Sequence, residues 1–181
     1  MRLFLFASVL LLALASFSPP QKPDQLSYDP DRPLTWEDFR PRAMVPIPGY
    51  KAYTWSGIAI DLSSDDTAIH ITTYSYFVPS ESWVEKDAGT PELLRHEQGH
   101  FDLTELYTRE LRQLLEPYQN MDVSEFVRGD GQATIQRLYD ETFDRMNAEQ
   151  DRYDKETGHS VNREKQQAWD ADIARRLRTT R

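Results

Sequence analysis

The stretch Leu94-Arg95-His96-Glu97-Gln98-Gly99-His100-Phe101-Asp102 decides how the rest of the chain is read. Thr90 can cap a helix just before it, Pro91 suits the first helical position, and Pro117 ends the run. On that helix His96 and His100 lie one above the other, about 40° apart around the axis. Two imidazole nitrogens so placed can reach one ion at about 2.0–2.1 Å. Glu97 falls between their direction and the flank, where it can take a proton from a water without competing for the ion. In a chain with four histidines this His-Glu-x-x-His spacing is expected by chance on the order of 0.01 times. The face carrying the histidines continues as Leu103, Tyr107, Leu111 and Leu114, so both imidazoles point inward, where unpaired ones are costly.

Upstream of this helix two strand-like segments are expected, Ala52 to Leu62 and Ala68 to Val78. Ser63-Ser64-Asp65-Asp66 supplies a hairpin turn between them, and His70 reads as an ordinary sheet residue. Downstream, a second helix is expected over Gln132 to Tyr153, with Ile135, Tyr139, Phe143, Met146 and Tyr153 on one stripe. A third starts near Ser160 or Asn162 and carries Trp169, Ile173 and Leu177. The expected fold is α+β: a small antiparallel sheet, then about three helices, with the histidine motif on the first long one.

The length of 181 residues fits one domain. Residues 1–18 read as a signal peptide: Arg2, an apolar run from Leu3 to Ala15, and the small-x-small pattern Ala13-Leu14-Ala15. The run is shorter than the roughly 20 residues that span a bilayer, so export to the periplasm or beyond is expected, without stable membrane insertion. Residues 19–33 read as an extended Pro-rich linker, leaving 34–181 as the domain, opened by the aromatic anchors of Leu34-Thr35-Trp36-Glu37-Asp38-Phe39. A second Pro-rich connection covers Pro41 to Pro48. A formal net charge of −9 argues against nucleic acid as a partner. The basic run Arg175, Arg176, Arg178 and Arg181 reads as a solvated helix end. With no cysteine, a metal must be held by His, Asp or Glu.

Zinc bound by His96 and His100 needs a third ligand. Leu106 stands where a compact motif would place another His, and Glu105 lies about 180° around the helix from His96. On the second helix Asp140, Glu141 and Asp144 point away from the apolar stripe, whereas Glu149 and Asp154 sit nearer its edge. Elimination favours His159, just past that helix.

The helix motif, together with Tyr153-Asp154-x-x-Thr157-x-His159, the opening Leu34-Thr35-Trp36-x-Asp38-Phe39 and Ser82-Trp83-Val84, resembles a bacterial family described as predicted secreted zinc-dependent proteases, a domain of unknown function. The resemblance runs from Leu34 to about Leu177, and Ser160 stands where that family commonly has Gly. It implies a zincin-like peptidase that holds an extended peptide along a strand edge.

The expected mechanism has Zn²⁺ on His96, His100 and His159, with Glu97 as general base. Tyr153 is a candidate transition-state donor or core residue, and Asp102 or Asp154 could orient a ligand histidine. Two rival functions remain: a zinc hydrolase of another amide or ester, and a secreted binding module that the metal only staples.

Overall fold

In the computed structural model residues 24–40 and 50–180 are described. The expected signal peptide, the start of the linker, the Pro41–Pro48 connection and Arg181 lie outside them. The architecture is α+β, in the expected order of a small antiparallel sheet followed by helices.

The sheet is built on a hairpin of β3 (Ser56–Ser64) and β4 (Ile69–Phe77), paired antiparallel from Ser56 opposite Phe77 to Ser64 opposite Ile69. Asp65 makes its turn: Oδ1 accepts from the N–H groups of Thr67 and Ala68 and from the Thr67 hydroxyl. His70 is a sheet residue, its Nε2 2.8 Å from Asp65 Oδ2. A short strand, β1 (Leu26–Ser27), adds to the far side of β4, giving the order β1-β4-β3 and leaving β3 at the edge among the described residues. The later part of the Pro-rich stretch therefore belongs to the folded body; Leu26 and Tyr28 pack with Phe39, Phe77 and Phe101.

The single strand expected over Ala52–Leu62 is instead broken at Thr54–Trp55. Its first residues form β2 (Ala52–Tyr53), which pairs with β5 (Trp83–Val84) in a separate two-stranded sheet. The Trp55 N–H donates to Ser82 Oγ at the crossing, so the chain changes sheets without an orphaned donor.

Among the described residues four α-helices follow: α1 (Pro91–Leu115), α2 (Val123–Arg128), α3 (Gly131–Thr157) and α4 (Arg163–Thr179). The caps are those the sequence offers. Thr90 Oγ1 accepts from Leu93 N–H, and Asn162 Oδ1 from Lys165 N–H. Six-residue α2, capped by Asp122, is too short to show a periodic pattern in the sequence. Leu115 is buried on α1, while Leu114, expected on the inner face, is 39% exposed. Helix α1 is the axis of the molecule and supplies residues to each of three apolar clusters: Leu111 faces the sheet and Ile135 and Met146 of α3, Leu103 and Leu106 meet Tyr153, Trp169 and Ile173, and Phe101 meets Leu34 and Phe77.

In the C-terminal basic run Arg175 and Arg178 are exposed, as expected, but Arg176 is not. Both terminal guanidinium nitrogens of Arg176 donate to the buried Glu149, at 3.0 and 2.9 Å. Burial alone would raise the Glu149 carboxyl; the Arg176 hydrogen bonds and charge outweigh it and hold the group below its ordinary value of 4.5. A depressed folded value means that the pair stabilises the protein above that pH and that this stability is lost on acidification through and below it. Replacing Arg176 by Met is expected to lower Tm at neutral pH and to flatten the acid side of the Tm–pH curve, as measured by calorimetry. An acid limb unchanged from wild type would remove this pair from the account.

Candidate metal centre

His96 and His100 face inward from α1 toward α3 and α4. His96 is 1% exposed, and its ring stacks on Tyr153 with centroids 4.6 Å apart and planes 16° off parallel. The His100 ring meets the same tyrosine edge-on at 5.0 Å. Gly99 makes this approach feasible: a Cβ there would lie 2.3 Å from the Tyr153 hydroxyl. The glycine inside the motif is thus a packing requirement between α1 and α3.

The outer nitrogens of both rings are committed by two glutamines. Gln166 on α4 sends its amide nitrogen to Asp170 Oδ1 (2.8 Å) and to the Tyr153 hydroxyl (2.7 Å). A carboxylate only accepts, so the Gln166 oxygen must be the atom facing His96 Nδ1, at 3.1 Å. Gln150 on α3 does the same for His100. Its amide nitrogen donates to the His100 carbonyl at 3.0 Å, which turns its oxygen toward His100 Nδ1. Both Nδ1 atoms therefore carry a proton, and in the neutral ring each Nε2 presents a lone pair on the other side.

Those two Nε2 atoms converge on one oxygen, Asp154 Oδ1, at 3.0 and 2.9 Å. Lone pairs and a carboxylate oxygen so close together need either protons or a cation between them. The Asp154 carboxyl is held well below the ordinary carboxylate range: burial opposes this, but hydrogen bonds from His100 and His96 outweigh it. For His100 burial works downward, and the Asp154 hydrogen bond with the nearby Glu97 and Asp154 charges moves its pKa up. Ligand atoms of His96, His100 and Asp154 all lie within 4.8 Å of one another, so the group could hold a metal ion. The residues fit a cation by donor chemistry as well as by spacing.

His159 lies beside this group. Its Nδ1 is 3.3 Å from Asp154 Oδ1, and its ring packs against Tyr50 at 4.5 Å. The sequence ranked His159 above Asp154, and the geometry reverses the order for a helical reason. Helix α3 runs one turn past Tyr153, so Asp154 stays on it, one turn after Gln150, facing α1. His159 falls beyond the end, in a left-handed turn made by Gly158, His159 and Ser160 (φ 57°, 52° and 74°). Two successive non-glycine residues in that region are strained, and the turn aims the ring back toward Asp154.

Glu97, 3% exposed, sits on the cleft side of the group. The Thr54 hydroxyl, from the break between β2 and β3, donates to Glu97 Oε2 at 2.7 Å. Both open onto a cleft of about 700 Å³ that is also lined by His96, His100, Asp154 and His159. Two expected roles find no support in the geometry. The Tyr153 hydroxyl is buried, donating to the His96 carbonyl and accepting from Gln166, so Tyr153 packs the site and does not face a reactant. Asp102 turns away from the histidines to Gln98 Nε2 and the Tyr28 hydroxyl; Gln166 and Gln150 meet the Nδ1 atoms of His96 and His100, and Asp154 meets their Nε2 atoms. Neither Thr54 nor the glutamines stood out in the sequence, because amide and hydroxyl side chains are common and only the packing of α3, α4 and the strand break brings these to the site.

Residues 79–160 match a family described as "Bacterial protein of unknown function (DUF922)". The match takes in the histidine motif, Gln150, Asp154 and His159, and stops before Gln166 and α4. No curated protein and no solved structure matches the chain.

If Gln166 fixes the His96 tautomer, Gln166→Leu should weaken metal binding about 10- to 100-fold, measured by competition with a chromogenic chelator. An affinity equal to wild type, in a variant that keeps its helical signal, would show that Gln166 only packs.

Proposed function

We propose that this protein is an exported zinc-dependent peptidase, with His96, His100 and Asp154 as metal ligands and Glu97 as general base. The observation that carries the reading is the Glu97 carboxylate: it shares an open cleft with the ligand group but is held off it by Thr54. A zinc ion in this site would supply Lewis acidity toward a carbonyl and lower the pKa of a water.

The chain's own residues supply the rest. Thr54 occupies Glu97 Oε2, which leaves Oε1 to take a proton from water and pass it to the leaving amine. Gln150 and Gln166 keep the ligand nitrogens unprotonated. The substrate's main chain has a partner in β3, which has no neighbour on its outer side among the described strands. Trp55, Ser56 and Gly57 bring that edge to the cleft wall. Peptide bonds are favoured over other amides because a strand edge recognises a repeating peptide backbone. The apolar start of the sequence supports export, and no helix among the described residues is long and apolar enough to cross a membrane.

One observation favours a second reading. Asp154 Oδ1 lies 2.9–3.3 Å from a nitrogen of each of three histidines, so His159 could close a four-ligand shell with no open position. The ion would then staple a fold that has no disulfide.

Glu97→Gln separates the two. A peptidase should keep its zinc content and its Tm in this variant while turnover of a casein-type substrate falls at least about 100-fold. Peptidase activity equal to wild type would sink the general-base assignment. A protein that binds zinc, gains Tm from it and cleaves no peptide in either form would be the stapled module.

A further inference from the structure

The metal cleft does not extend freely along β3. Beyond the metal cleft a second cavity of about 760 Å³ spreads over the face of the sheet from β3 (Ile58 to Leu62) across Tyr74 of β4 to Ser27 of β1, and is closed on the β3 side by Ile135 and Gln136 of α3. Tyr76 and Tyr139 line both cavities and stand at their junction. Tyr76 can cross the strand because residue 57 is glycine: a Cβ there would lie 2.7 Å from the Tyr76 hydroxyl. Tyr139 crosses from the opposite wall, and its hydroxyl donates to the Ile58 carbonyl at 3.4 Å.

That carbonyl has a particular place in the ladder. Val78 N–H donates to the Trp55 carbonyl, and Trp55 and Val78 lie in line with the Ser56–Phe77 pairing. In an antiparallel ladder the bonded pairs alternate, so odd-numbered residues of β3 bond inward to β4. Ser56, Ile58 and Ile60 turn their N–H and C=O groups outward. An extended peptide added to this edge at the metal cleft would pair first at Ser56 and next at Ile58. The acceptor it would need at the second step is the one that Tyr139 holds.

We infer that Tyr139 is a specificity-determining residue: a crossbar that ends the metal cleft at Ile58 and sets how far an extended peptide can pair along β3. This rests on the peptidase reading above. The bond is long at 3.4 Å, and its donor is a half-buried side chain on a helix face, so a longer peptide can displace it at a cost. Short peptides that stop before Ile58 pay nothing. The stacked ring of Phe143, 5.8 Å from that of Tyr139, backs the crossbar on the metal-cleft side.

The test is a ladder of fluorogenic alanine-rich peptides sharing one scissile bond and lengthened at one end at a time. They are assayed with the zinc-loaded full-length protein and its Tyr139→Phe and Tyr139→Ala variants. Tyr139→Phe removes one oxygen and keeps the packing, so it reads the bond without risk to the fold. For one direction of lengthening, the ratio of kcat/KM for long over short peptides should rise roughly three- to tenfold in Tyr139→Phe, the effect residing in KM. It should rise further in Tyr139→Ala. A ratio equal to wild type in both variants would overturn the proposal while leaving the peptidase reading intact. If the wild type cleaves none of the peptides, the peptidase reading fails, and binding of the same ladder by fluorescence anisotropy decides the crossbar. Tighter binding of the long peptides in Tyr139→Phe sustains it; no binding, or no dependence on length, overturns it.

Discussion

Burying two imidazoles one helical turn apart is the constraint on which this structure depends. Each ring has two nitrogens, and each nitrogen needs a partner once water is excluded. Helix α1 can place the rings but cannot satisfy them, since its own backbone groups are already bonded. Partners must come from other elements, and the arrangement of α3 and α4 follows from that demand. Gln150 and Asp154 come from successive turns of α3, and Gln166 from the first turn of α4. The Tyr153 ring fills the space between the histidines and α4, and Gly99 lets it in. The site is therefore also a packing interface, and disturbing its polar atoms disturbs the docking of three helices.

The sequence made α1, its caps and the histidine pair legible because they are local: spacing along one helix fixes direction without reference to any other element. The hairpin and the long helices were legible for the same reason, through periodicity and turn residues. What could not be read was anything set by how elements dock. The extra turn of α3 is an example. Ending the helix at Tyr153 put Asp154 only near the edge of its stripe, whereas the helix runs on to Thr157 and turns Asp154 toward the histidines. Thr54 is another, for a threonine at the end of a two-residue strand carries no signal until the chain changes sheets beneath Glu97. Tyr139 read as core from its place on the apolar stripe, whereas the stripe outruns the core and reaches the cleft.

The acidic composition has a local counterpart in this arrangement. Glu97 and Asp154 lie within one cleft, and Asp154 serves three histidines at once. Without a cation the cluster must be stabilised by protons on the imidazoles; with one, the same atoms form a ligand shell. This exchange between protons and metal gives the centre its expected dependence on both pH and metal supply. It also explains why a carboxylate flanked by imidazoles is tolerated against the packed ring of Tyr153.

The most direct test of the central claim is a crystal structure of the zinc-loaded protein with anomalous data at the zinc edge. The account predicts one ion bonded to Nε2 of His96, Nε2 of His100 and the Asp154 carboxylate at about 2.0–2.2 Å, with a solvent molecule completing the shell beside Glu97. An ion bound elsewhere, or one enclosed by all three histidines and Asp154 with no solvent position, would contradict it.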